Sequence, residues 1–194
     1  MIFTMNPLSL LRSSILILCF SAALLAYGQP VTSTPKGDRG APNNFSNAIQ
    51  MRNEVMTSLA SGEATPGDAI KQLRGTNTPM GLGLGADAEF ALAAIDLGQR
   101  LVAMHKADKA VLFFREAEEA LEKALAEMAK DSTATKAMLL ENRAFVRNKF
   151  LNKTFDADRD LAQAIALQPE NKHLQKQRDE IPAAKSGRQQ SGKQ

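Results

Sequence analysis

An all-α fold of stacked antiparallel helical hairpins, closed by a C-terminal capping helix, is predicted by two runs of small and large residues and by the breaks around them. Ala110, Phe114 and Ala117 step by four and then three, and so do Ala157, Leu161 and Ala164. On a helix that spacing is one face. A small–large–small face lets a helix nest closely against a neighbour, so the same solution occurs twice, 47 residues apart.

The chain opens on an address. Residues 1–28 carry one charge, Arg12, followed by an apolar run from Ile15 to Ala26 that ends in Ala26-Tyr27-Gly28. A run of about 13 apolar residues is too short to cross a bilayer, which needs about 20. The segment reads as a secretory signal cleaved between Gly28 and Gln29, with an uncleaved N-terminal anchor as the alternative. Leu18 before Cys19 is too large for a lipidation signal. Cleavage removes the sole cysteine, so the mature chain folds without a disulfide and has no thiol for catalysis, zinc or redox work. Its net charge falls from +3 to +2 with the loss of Arg12, weak for nucleic-acid binding. Export points to the periplasm or the extracellular space, with membrane contact only through the signal before cleavage.

Residues 29–43 hold Pro30, Pro35 and Pro42 among glycine, serine and threonine and read as a disordered linker. An N-terminal hairpin follows over 44–75. Asn44 is a plausible cap for a helix through Ile49, Met51, Val55, Met56 and Leu59. Thr65-Pro66-Gly67-Asp68 starts a shorter helix, with a hydroxyl at the cap, Pro at the first helical position and an acid in the first turn. Ile70 and Leu73 are its apolar face. Residues 76–85, with Pro79, Gly81, Gly83 and Gly85, read as a flexible connector. A phosphate loop needs a preceding strand and a following Gly-Lys-Ser/Thr, whereas Asp87 and Glu89 follow here and would repel phosphate.

The helical domain proper is expected over 86–182. Its first helix runs from Ala86 through Phe90, Ala94, Leu97 and Leu101 to Met104, and Asp108 is expected to cap the next. That helix, about Lys109 to Lys130, turns Ala110, Phe113, Phe114, Ala117, Leu121, Ala124, Leu125 and Met128 inward. Glu116, Glu118, Glu119, Glu122 and Glu127 make an acidic outer face, with i,i+4 pairs of Arg115–Glu119 and Glu119–Lys123 worth ~0.2–0.5 kcal/mol each. Asp131-Ser132-Thr133 ends it and caps a fifth helix with Ala137, Leu140, Ala144, Val146 and Phe150 inside and Arg143, Arg147, Lys149 and Lys153 outside. These opposite charges are expected to meet within the stack. A sixth helix spans about Phe155 to Leu167. A last one after Pro169 uses Leu174 and Ile181 as a cap and stops at Pro182. Residues 183–194 form a disordered basic tail.

Leu97-Gly98, Leu101, Ala110, Phe114 and Ala117 resemble the pattern of a tetratricopeptide repeat, and Ala157, Leu161, Ala164 and Pro169 resemble the second helix and exit of another. Asn142-Arg143-Ala144 is similar to a segment common in the first helix of these repeats. The departures are specific. Ala94 stands in place of Trp, His105 in place of a turn glycine and Glu122 in place of Pro. The two helices of the second repeat are one residue out of register, and the spacing of 47 exceeds the usual period of about 34. The resemblance implies an α-solenoid scaffold of two to three degenerate repeats. It further implies a concave groove for a peptide or protein segment, faced by Asp96, Gln99, Asn142, Phe145 and Lys149. Asn142 matches a family Asn that binds a peptide's terminal carboxylate, but the neighbouring helix lacks the lysine such a clamp requires.

Catalytic chemistry finds little to use. His105 and His173 fall in a turn and in the capping helix, and no His or Cys cluster has metal-ligand spacing. No serine sits in a strand–turn–helix elbow. Met51, Met56, Met104 and Met138 fall on apolar faces and read as core. The expectation is a non-catalytic, cofactor-free protein-interaction module. The alternatives are a self-assembling envelope protein that dimerises through Phe113 and the long helix's exposed edge, or a small enzyme or carrier with a pocket between hairpins.

Overall fold

The computed structural model describes residues 44–76, 79–128 and 132–181, and all of the regular structure among them is helical. The expected signal and its cleavage point at Gly28 and Gln29, the linker before residue 44 and the tail after residue 181 lie outside these residues. Seven helices follow in order: α1 Asn44–Ser61, α2 Pro66–Arg74, α3 Ala86–Ala103, α4 Ala107–Glu127, α5 Thr133–Lys149, α6 Thr154–Leu167 and α7 Lys172–Asp179. None of them is long and apolar enough to cross a membrane.

Local chemistry sets the starts of α2 and α7, where Thr65 and Asn171 cap the first turn. The Thr65 hydroxyl accepts from the Asp68 amide at 3.2 Å, and the Asp68 carboxylate accepts from the Thr65 amide at 3.3 Å. This reciprocal capping box, with Pro66 at the first turn, starts α2 as its sequence predicts. Two expected caps are corrected. Asn44 is the first residue of α1, and α4 begins at Ala107, which puts Asp108 inside the first turn where an acid still favours the helix dipole.

α3 packs chiefly on α4 and α5 chiefly on α6, while α4 also lies against α5 and α7 against α6. Turns of three residues (104–106) and four residues (150–153) join the two pairs, so the extra residue in the second turn accounts for its one-residue slip of register. Each turn passes through the left-handed region, at His105 (φ 59°) and Asn152 (φ 55°). Neither residue is glycine, so each bears this conformation at some cost.

Two cores result. The first joins α1 to α4 through Val55, Leu59, Leu73, Leu97, Leu101, Phe113, Phe114 and Leu121, and takes in Leu139 and Val146 of α5. The second joins α5, α6 and α7 through Ala137, Leu140, Ala144, Ala157, Leu161, Ala164 and Leu174, with Ile181 beyond α7. Both small–large–small faces are fully used, since Ala110, Phe114, Ala117, Ala157, Leu161 and Ala164 are all buried. Gly98 explains how closely α3 and α4 approach. A Cβ built there would lie 2.7 Å from Phe114 Cε1, so only glycine fits beneath that ring. Met104 departs from its expected core role: it ends α3 and is exposed.

Candidate functional site

The five residues expected to face a groove divide between α3 and α5. Asp96 is already engaged, because its carboxylate accepts from Arg52 Nε of α1 at 3.3 Å and from Arg100 Nε at 3.0 Å. Arg52 is buried and also donates to the Pro79 carbonyl at 2.6 Å, while Arg100 donates to Asn53 Oδ1 at 2.9 Å. α1 is therefore fastened to the part of α3 around Asp96. Gln99, one turn on, is half-buried.

On α5, Asn142 donates to the Met138 carbonyl of its own helix at 2.8 Å, which leaves its side-chain oxygen able to accept. Phe145 is half-buried and meets Phe150 edge-on, with ring centres 5.4 Å apart. Phe150 in turn stacks on Phe114 of α4 at 3.7 Å. Phe145 is thus one end of an aromatic row reaching α4. Lys149 is exposed in the last turn of α5, where a cation complements the helix dipole.

The acidic and basic faces meet within the stack, as expected. Arg143 donates to both Asp160 oxygens at 3.0 and 2.6 Å, and Arg147 donates to Asp160 Oδ2 at 2.8 Å. Arg147 also donates to Glu118 Oε1 at 2.7 Å, and Lys153 donates to Glu118 Oε2 at the same distance. Asp160 and Glu118 are buried, with their residues 1% and 8% exposed. Placing Glu118 on the outer face of α4 and Arg143 and Arg147 on the outer face of α5 is therefore corrected. The signal was present: Asp160 shares an i,i+3,i+4,i+7 register with Ala157, Leu161 and Ala164, and Glu118 with Phe114, Ala117 and Leu121. Burial alone would push the Glu118 carboxyl up, but hydrogen bonds from Lys153 and Arg147 outweigh it and hold the group below its ordinary range.

The glycine-rich connector holds an anion after all, and the anion is the protein's own. Glu89 of α3, fully buried, accepts from the amides of Met80 at 2.8 Å, Leu82 at 2.6 Å and Leu84 at 3.2 Å. Gly81, Gly83 and Gly85 have positive φ, which turns those alternate amides toward one point. Expected to be a flexible link, 79–85 is instead latched to α3.

The described histidines lie apart. His105 is in the α3–α4 turn, whereas His173 of α7 faces Glu141 of α5 at 3.3 Å. Burial pushes the Glu141 carboxyl above its ordinary range, opposed by His173 and by a hydrogen bond from Gln177. Among the described residues no group of three or more His, Cys, Asp or Glu side chains is arranged to hold a metal ion. A hollow of about 350 Å³ lies among Gly85, Asp87, Glu127, Met128, Ser132 and Thr135. No family model matches the chain, and comparison with curated proteins finds no match.

Proposed function

We propose that this chain is a non-catalytic protein-interaction module built from tetratricopeptide-like helical hairpins. It is exported by its N-terminal signal and binds a peptide or protein segment along α3 and α5. The observation that carries the reading is the repeat itself. At an offset of 47 residues, α4 and α6 bury a triad of the same small–large–small pattern, follow a lysine, and sit behind a left-handed turn residue. Two hairpins of one plan side by side are the unit from which interaction scaffolds are assembled.

The binding residues are narrowed by the geometry. With Asp96 held by Arg52 and Arg100, recognition falls to Gln99, Asn142, Phe145 and Lys149. Two amides, an aromatic edge and a cation suit the backbone of an extended segment carrying an apolar and an acidic side chain. Self-assembly through Phe113 loses its anchor, because Phe113 is completely buried. The exposed edge of α4 is Val111 and Leu112.

The test is selection of a displayed peptide library on the mature chain, followed by calorimetry of the enriched peptide on wild type and on Asn142→Ala/Lys149→Glu. The reading expects at least a tenfold loss of affinity in the variant, about 1.4 kcal/mol, with the helical circular-dichroism spectrum retained. Equal affinity for both proteins moves the site off these helices. Failure to enrich any peptide argues against a peptide-binding groove.

A further inference from the structure

α5 has two faces that belong to different cores. Leu139 and Val146, two turns apart, pack into the α1–α4 core, while Ala137, Leu140 and Ala144 face α6 and α7. The molecule therefore has a joint between α1–α4 and α5–α7. Charge is concentrated at one point of that joint. Among the described residues Glu118 is the one acidic side chain of α1–α4 that forms ion pairs with α5–α7, receiving Arg147 from α5 and Lys153 from the α5–α6 turn. The pairs Arg143–Asp160, Arg147–Asp160, His173–Glu141 and Arg178–Asp158 stay within α5–α7.

We infer that Glu118 is a charge lock for the α5–α7 unit, which opens away from α1–α4 as a body when the lock is screened or protonated, before α1–α4 itself unfolds. The reasoning is local. Glu118 supplies both carboxylate oxygens to two cations, and such charge-assisted bonds are the strong ones. They weaken with salt at the half-exposed Lys153 more than at Arg147. Arg147 keeps Asp160 as a partner after the lock opens, and Lys153 reaches water, so opening strands no cation in an apolar site. The charged groups facing Glu118 are Arg147 and Lys153, with Asp160 behind Arg147. Opening would uncover Phe114, Phe145 and Phe150 along the joint. It would also part Gln99 from Asn142, a consequence that alone rests on the proposed groove.

Hydrogen exchange of the full chain tests the lock without any ligand, so its outcome is separate from that of the groove. At pH 7 and low salt, α5–α7 amides should be protected. In 1 M sodium chloride, or below pH 4, their protection factors, taken against the intrinsic exchange rate at that pH, should fall at least tenfold while α3 and α4 stay protected. Glu118→Gln should show the fast α5–α7 exchange already at pH 7 and low salt, with little further response to salt. Phe150→Ala serves as a second variant: it should speed exchange in α5–α7 yet keep the salt response. Loss of protection in α3–α4 and α5–α7 together under every condition would overturn the inference. So would an unchanged salt response in Glu118→Gln.

Discussion

The hairpins α3–α4 and α5–α6 fill corresponding positions with opposite chemistry. Where α4 buries Phe113, α6 buries Asp160, 47 residues later. Where α3 buries Leu97 and Leu101, α5 has Arg143 and Arg147, 46 residues later because of the longer turn. One hairpin closes on apolar contact, and the other closes on a bidentate Arg143–Asp160 pair reinforced by Arg147. The small residue under the large one differs in step. Gly98 lies beneath Phe114, whereas Ala144 is the counterpart that accompanies the smaller Leu161. The same backbone plan thus accepts either closure, provided each buried polar atom is paired. Among the described residues no buried side-chain nitrogen or oxygen lacks a hydrogen-bond partner.

Breaking the ionic closure should have the largest effect. Asp160→Ala leaves two part-buried guanidinium groups without their shared acceptor and should cost about 3–5 kcal/mol in urea unfolding, the usual penalty for halving a buried pair. In the apolar hairpin the corresponding break is steric. Gly98→Ala puts a methyl into the Phe114 ring and should cost about 1–3 kcal/mol by the same measurement, with no dependence on salt.

The joint between the hairpins sharpens the comparison through pH. A carboxylate held below its ordinary value contributes stability above that value and loses it as the pH falls through the folded one. For Glu118 the loss should begin below its ordinary 4.5, and Glu118→Gln should remove that part of the acid transition at a cost of about 1.5–3 kcal/mol at pH 7. Glu141 has the opposite sign, since its raised value favours the protonated form, a contribution that fades as the pH rises. Glu141→Gln should therefore be neutral or slightly stabilising at pH 8, as read by thermal unfolding. The smallest effect belongs to the turns. His105→Gly should stabilise by up to about 1 kcal/mol by releasing a left-handed residue, and Asn152→Gly by less, because Asn tolerates that region better.

The helices were legible where periodicity and turn chemistry agree. The Thr65 capping box, the paired small–large–small faces and the Leu174 and Ile181 contacts of the last turn all follow from residue spacing. Charged residues inside the stack were not, because composition marks Glu118 and Asp160 as surface and only their shared register with alanine, leucine and phenylalanine marks them as buried. The connector misled for a related reason. Its glycines suggest mobility, whereas a single buried carboxylate three residues into the next helix fixes it. Of the residues expected to face a groove, the assignment to α3 and α5 was legible in the helical spacing. The capture of Asp96 by Arg52 was not, since it depends on a contact 44 residues away in the chain.

The most direct test of this account is to rewrite the second hairpin in the chemistry of the first. In a Glu118→Gln background, urea unfolding of Asp160→Phe/Arg143→Leu/Arg147→Leu should recover most of the stability that Asp160→Ala loses there, since replacing a whole buried ionic cluster by apolar residues is commonly neutral or stabilising. Its α5–α6 hairpin should also lose the salt sensitivity of the wild type. A triple variant that is as unstable as Asp160→Ala would contradict the equivalence of the two closures.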